Sequence, residues 1–383
     1  MKCDLREIHH QPSWQISTRQ VRLAVARLGG QMAPVTFCRD TSRPVQPYYV
    51  SPWQSEGLDL SDDPVLQPLR GDFFCMPFGA PSQVGRRKHF CHGVPATRAW
   101  DFVAADRSKG IASLTLTVRD PKLGGRVTKG LYLVDGQNVV YSQHMLRGFD
   151  CRTSIGHHAT LAMPDEPGSV LLAHSPMRFG MTNPTPVGRP EQKQYDSIEL
   201  GKRFRSLEKV PLKFRDPAYG DFSALPARPG YTDLIGLFNK PGDVAWSAAT
   251  FTRGGYLWFA LKDPAVQPTL LLWVSNRGRH NRPWLGRNCC LGMEDVCGFF
   301  AEGRKDSIRP NLLTRAGVPT WVKLSPKRPT VVNYIQGVVR VPRTFGRVAD
   351  AELEPGKVTF RSESGRKATA EVCWDFLRTG RIE

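Results

Sequence analysis

Glu294 ends an apolar run, Cys289-Cys290-Leu291-Gly292-Met293-Glu294, in a segment that also holds Arg277, Arg279, Arg282, Trp284 and Arg287. A buried carboxylate is costly unless it is paired or used. The run therefore suits either a structural Glu–Arg pair or a catalytic carboxylate. His157 and His158 stand together in Ile155-Gly-His-His-Ala-Thr-Leu161. Histidine is the natural general acid or base near neutral pH. Adjacent residues of a strand face opposite ways, so only one of the two can enter a given cleft. Two histidines with no third ligand nearby fall short of the three protein ligands that even an open zinc site needs. The third segment, Phe90–Trp100, holds His92-Gly93, Arg98 and Trp100. It offers a donor, a cation and an aromatic plate, a mixture that can hold a sugar by its hydroxyls and its C–H face. Read alone, each segment also suits a structural role: a satisfied histidine, a packing tryptophan, an ion pair.

The elements that must position these residues read mainly as strands. Val21, Leu23 and Val25 alternate with Arg22 and Ala24, the period-two pattern of a half-buried strand. Gly29-Gly30 then supplies a hairpin turn, and Val35 and Phe37 start the return strand. Residues 111–118 alternate cleanly, and Asp135-Gly136 sits between two apolar runs as a hairpin signal. Further strands are predicted at 169–173, 246–251, 256–261, 269–274, 330–341, 357–361 and 368–374. Short helices are expected near Asp196–Arg205 and Leu312–Ala316. Strands of this length between Gly and Pro turns predict an antiparallel sandwich rather than βαβ units. Residues 181–232, rich in Pro, Arg and Lys, read as an insertion or loop region that could lie over a cleft. No composition break divides the chain.

Composition narrows the function classes. The chain carries 53 Lys and Arg against 35 Asp and Glu, a net charge of +18, yet its longest basic run is only Arg86-Arg87-Lys88. There is no zinc-finger spacing, RNA-recognition signature or basic amphipathic helix, so nucleic acid is not expected as a partner. Such a charge fits a basic solvated surface or an anionic small ligand. Nine scattered cysteines without a CxxC fit free thiols in a reducing compartment. No stretch approaches the ~20 apolar residues of a membrane span, and the first ten residues lack an apolar core. A cytoplasmic protein without membrane contact is expected.

In this order and at these separations, the three segments resemble the aldose 1-epimerase, or galactose mutarotase-like, family. The resemblance rests on His92-Gly93 with Arg98 and Trp100, on His158-Ala-Thr-Leu161 and on Leu291-Gly-Met-Glu294. The Val21–Phe37 hairpin and the Asp72–Gly79 stretch, Asp-Phe-Phe-Cys-Met-Pro-Phe-Gly, add to it. It implies one large all-β antiparallel sandwich with few short helices over residues 1–383, preceded by an N-terminal arm at 1–13. It also implies interconversion of sugar anomers without cofactor or metal. Glu294 would be the general base on the anomeric hydroxyl and His158 the acid on the ring oxygen. His92 and Arg98 would hold substrate hydroxyls. His157 stays open as the alternative to His158, which fits better because Thr160-Leu161 then fill the positions that follow. Asp233, in Gly230-Tyr-Thr-Asp233, is the candidate for the family's sugar-binding aspartate. Trp284 and Arg287 are expected at the substrate. The arginines at 277–287 depart from the family pattern and point to an anionic sugar, uronic or phosphorylated, as an alternative substrate. A non-catalytic sugar-binding or sugar-sensing protein is the other alternative. The expected partner is a small sugar, with the chain as monomer or homodimer.

Overall fold

The computed structural model describes residues 3–382. Two antiparallel sheets dominate it. The seven-stranded sheet runs, in spatial order, Arg203–Phe204, Met177–Thr182, Tyr231–Asn239, Thr269–Asn276, Cys289–Cys297, Ile155–Ala162, Phe74–Cys75. The nine-stranded sheet includes Ala245–Phe251, Tyr256–Lys262, Thr330–Arg340, Val139–Arg147, Arg126–Val134 and Ile111–Arg119 as consecutive neighbours. The strands predicted from periodicity lie in these sheets, in the three-stranded C-terminal sheet formed by 348–354, 357–362 and 367–371 or, for the Val21–Phe37 hairpin, in a separate four-stranded sheet as Arg22–Ala26 and Met32–Thr36.

The alternation of side chains sorts the core into layers. Leu270, Leu272, Ile235, Leu237, Leu291 and Met293 face the nine-stranded sheet and pack with Leu114, Leu131 and Tyr334. Their neighbours Leu271, Trp273, Leu234 and Val296 face the other way, into a second cluster with Phe73, Trp284 and Phe300. A third cluster joins Tyr141, Phe259 and Ile335 of the nine-stranded sheet to Phe360 and Phe376 near the C-terminus. Both sheets are therefore covered on both faces. That is why runs such as Leu270-Leu-Leu-Trp273 read as continuously apolar instead of alternating.

Some expectations change. The stretch expected as an arm, 1–13, supplies strands Arg6–Ile8 and Gln11–Ser17 of a four-stranded sheet, with Met1 and Lys2 outside the described residues. The fully buried Arg70 ties it down by donating to the carbonyls of Ile8 (3.0 Å) and His9 (2.9 Å). Leu312–Arg315 is a helix, capped by Asn311. Asp196–Arg205 is not. There Ser197 and Ile198 donate their backbone N–H groups to Asp233 instead of starting a helix, and Gly201 turns the chain at φ 66°. Residues 183–230 form a mostly irregular excursion with a few two-residue strands.

Candidate functional site

The strands Ile155–Ala162 and Cys289–Cys297 are antiparallel neighbours, with His158 directly opposite Glu294 and His157 opposite Asp295. Residues directly opposed in a ladder share a face. His158 and Glu294 thus meet on the outer face of the seven-stranded sheet, and His157 and Asp295 turn inward between the sheets. His158 Nε2 lies 3.1 Å from Glu294 Oε1. The other ring nitrogen, Nδ1, is 3.1 Å from Thr160 Oγ1, and the imidazole stacks on Phe73 at 4.6 Å. Gly292, two residues before Glu294 on the same face, leaves room for the carboxyl: a Cβ there would stand 2.5 Å from Glu294 Oε1.

The pair forms part of the wall of a pocket of about 680 Å³, within the size range of small-molecule sites. Two tryptophans give it apolar plates. Trp273 sits edge-on to His158 at 5.8 Å and to Trp284 at 5.9 Å. His92 also lines the pocket, its ring edge-on to His158 at 4.9 Å. Its backbone is left-handed at φ 57°, and Gly93 follows at φ 74° so close to Met76 that a Cβ would overlap the Met76 carbonyl oxygen at 2.0 Å. Glycine at position 93 is thus a steric requirement of this loop. The first part of the irregular excursion, including Asn183, Thr185 and Gln192, contributes another wall.

Burial governs the electrostatics. It pushes Glu294 up to about 8, with nearby Arg279 pulling the other way. Burial, helped by the cationic form of His92, holds His158 well below the ordinary histidine value. His92 is itself held down to about 4 by burial and by Arg279. The uncharged forms of Glu294 and His158 are therefore favoured, and a proton on Oε1 faces the Nε2 lone pair. The Glu⁻/His⁺ form expected from charge attraction alone holds the same proton on the other atom. Desolvation outweighs attraction here.

The other sequence candidates divide. Trp284 lines the pocket, as His92 does. His157 does not. Its Nδ1 pairs with Asp72 at 2.9 Å and its ring stacks on Tyr334 at 4.2 Å, between the sheets. Asp233 also faces inward, away from the pocket. It accepts from Ser197 N (2.6 Å), Ser197 Oγ (2.7 Å) and Ile198 N (3.3 Å), and burial raises it to about 6. Arg98 is exposed in a separate recess with Leu28 and Phe90. The nearby Trp100 is buried and donates to the Pro95 carbonyl, so the apolar plates of the pocket come from elsewhere. Arg287 lies outside the pocket lining and forks onto Glu56.

Two other arginines line the pocket, the exposed Arg189 and the half-buried Arg279. The guanidinium of Arg279 lies over Trp284 at 4.8 Å and Trp273 at 5.3 Å, and it forms no ion pair among the described residues. Its Nε is buried without a hydrogen-bond partner, and burial lowers its pKa. Nothing in the sequence separates Arg279 from its three arginine neighbours. Trp273 stands two residues beyond Leu271, the residue paired with Glu294, and that register could not be read from the sequence. No group of three potential metal ligands occurs among the described residues.

No known protein family's sequence profile matches this chain, and no curated protein does. Solved structures do. A galactose mutarotase-like protein from Clostridium acetobutylicum is 10% identical, with a TM-score of 0.59 over 88% of this chain and 98% of its own. A galactose mutarotase related enzyme from Lactobacillus acidophilus is 10% identical, with a TM-score of 0.53 over 86% and 98%. An aldose epimerase homologue from C. elegans is 11% identical, with a TM-score of 0.51 over 85% and 98%. At such identities the likeness establishes the galactose mutarotase-like fold and leaves the chemistry to the site itself.

Proposed function

We propose that the pocket binds an aldose and interconverts its anomers, with Glu294 and His158 as the acid–base pair. The observation that carries this reading is the 3.1 Å contact between His158 Nε2 and Glu294 Oε1 in a pocket with tryptophan plates. Ring opening needs one group to take the O1 proton and another to protonate O5. Both oxygens are attached to C1, so the two groups must be neighbours. The shared proton first moves from Oε1 to Nε2. Glu294 then takes the O1 proton while His158 gives its Nε2 proton to O5. The C1–O5 bond breaks and C1–O1 becomes a carbonyl. After rotation about C1–C2 the same transfers run backwards on the other face. Protons balance, and the residues of this chain suffice for each transfer. His92 holds a hydroxyl, and Trp273 and Trp284 carry the C–H face of the sugar. The solved structures of similar fold, a galactose mutarotase-like protein, a galactose mutarotase related enzyme and an aldose epimerase homologue, support the same reading.

A second observation sharpens the substrate. Arg279, unpaired by any carboxylate and aimed into the pocket, supports an aldose that carries a carboxylate or phosphate, because a guanidinium fork binds such groups best. The test is proton NMR of anomer exchange over a panel of neutral, uronic and phosphorylated aldoses. Catalysed exchange that is lost in His158→Ala, and faster for an anionic than for a neutral aldose, supports both parts. Exchange at the uncatalysed rate with every sugar rejects the activity. Equal acceleration of neutral and anionic sugars rejects the role given to Arg279.

A further inference from the structure

The sugar pocket is lined by two arginines, Arg189 and Arg279, which leaves the net charge of +18 unexplained. A second concentration of arginine lies at the turn end of the nine-stranded sheet. Arg43, Arg253, Arg340 and Arg343 surround one recess of about 720 Å³, completed by glycine, proline and valine. No acidic residue lines it, and it shares no residue with the sugar pocket.

Three separate segments deliver these side chains. Arg253 lies in the turn joining Ala245–Phe251 to Tyr256–Lys262. Arg340 ends the strand Thr330–Arg340 opposite Tyr256 and is braced by Nη1 on the carbonyls of Gly254 (2.9 Å) and Gly255 (3.4 Å). Arg43 and Arg343 come from exposed loops. Only Arg253 has a counter-charge among the described residues, forking onto Glu166 through Nε at 2.8 and 2.7 Å. Among the described residues, the side chains of Arg43 and Arg343 form no ion pair or hydrogen bond. The acid nearest to Arg43 in sequence, Asp40, accepts from Gln20 at 2.9 Å instead.

Guanidiniums gathered around one recess without a carboxylate repel each other, and an anion between them relieves that repulsion. A nucleic-acid surface would need cations in a long stripe. Here they converge on a recess of small-ligand size. We propose that this recess is a binding site for a small ligand with two or more phosphate groups, held by Arg43, Arg340 and Arg343. Linked phosphates match the forked donors and span side chains that come from different segments.

The test is calorimetric titration of the full chain with inorganic pyrophosphate. A parallel series uses Arg43→Ala/Arg343→Ala, and a control removes two exposed arginines elsewhere, Arg98→Ala/Arg381→Ala. The expected result is saturable binding that weakens with salt. It becomes at least about tenfold weaker in the first variant, as for lost charge-assisted bonds, and is unchanged in the control. Both substitutions lie on the surface, and unchanged thermal unfolding would show that the variant folds. Three outcomes would overturn the proposal. The first is no pyrophosphate binding. The second is equal weakening in both variants, which assigns the effect to bulk charge. The third is binding of a single-stranded oligonucleotide or anionic vesicles, lost in the first variant, while pyrophosphate does not bind.

Discussion

Glu294 is the proposed acid–base group, and its burial makes two effects measurable. In that role it would touch the reacting atoms, so Glu294→Gln is expected to slow anomer exchange by at least about a hundredfold, the usual range for a well-placed acid or base. As a buried acid with its pKa raised to about 8, it also links stability to pH. A carboxyl raised in the fold contributes most below the ordinary carboxylate value, and that contribution is lost as pH rises through about 8. Gln cannot ionise. The unfolding temperature of E294Q relative to wild type should therefore climb between about pH 5 and 9. A constant difference across that range would show that Glu294 is already ionised in the fold. The depressed His158 has the opposite sign: its contribution is present above the ordinary histidine range and is lost as pH falls below it. The role proposed for Arg279 is in partner choice. Arg279→Met should abolish any preference for an anionic aldose and leave the neutral rate closer to wild type.

The strand pairing decides which histidine does what. A one-residue shift in register would exchange the roles of His157 and His158, since it moves every side chain to the other face. Composition and spacing could not fix that register. The resemblance favoured His158, and the pairing of Ile155–Ala162 with Cys289–Cys297 places it beside Glu294. His157 instead serves the inter-sheet layer. Burial raises the pKa of Asp72, but His157 and Lys129 outweigh it and leave the carboxyl below its usual range. Removing His157 strands that carboxylate. His157→Ala should cost on the order of 3–5 kcal/mol in denaturant unfolding, as for other broken buried pairs. His158→Ala should cost less stability and more activity. If both variants unfold alike and lose activity alike, this division of labour is wrong. Asp233 illustrates the same limit. It is an acid at a plausible distance in sequence, yet its strand turns it inward to Ser197. Arg98 and Arg287 failed as candidates for a related reason, because loop side chains follow tertiary contacts that no local pattern records.

At the scale of the molecule, the sandwich was legible because two-residue periodicity and Gly turns are local signals. Those signals located Ile111–Arg119, Tyr256–Lys262 and Thr330–Arg340 closely. What covers the sheet was less legible. The walls built from the irregular excursion after Thr182 and from the Arg279 loop depend on packing between distant segments. The tryptophans on those walls offer a direct report of binding. Trp273 and Trp284 lie in the pocket, so a bound aldose should change intrinsic fluorescence saturably, and Trp284→Leu should weaken that binding. An unchanged spectrum with sugars that undergo exchange would place the active site elsewhere.

The most direct test is exchange-rate NMR on wild-type and E294Q protein with one aldose that both bind. The expected result is catalysed interconversion by the wild type and a loss of at least about a hundredfold in E294Q with affinity retained. Equal rates for the two proteins, or sugar binding by the wild type with no exchange above the uncatalysed rate, would contradict it.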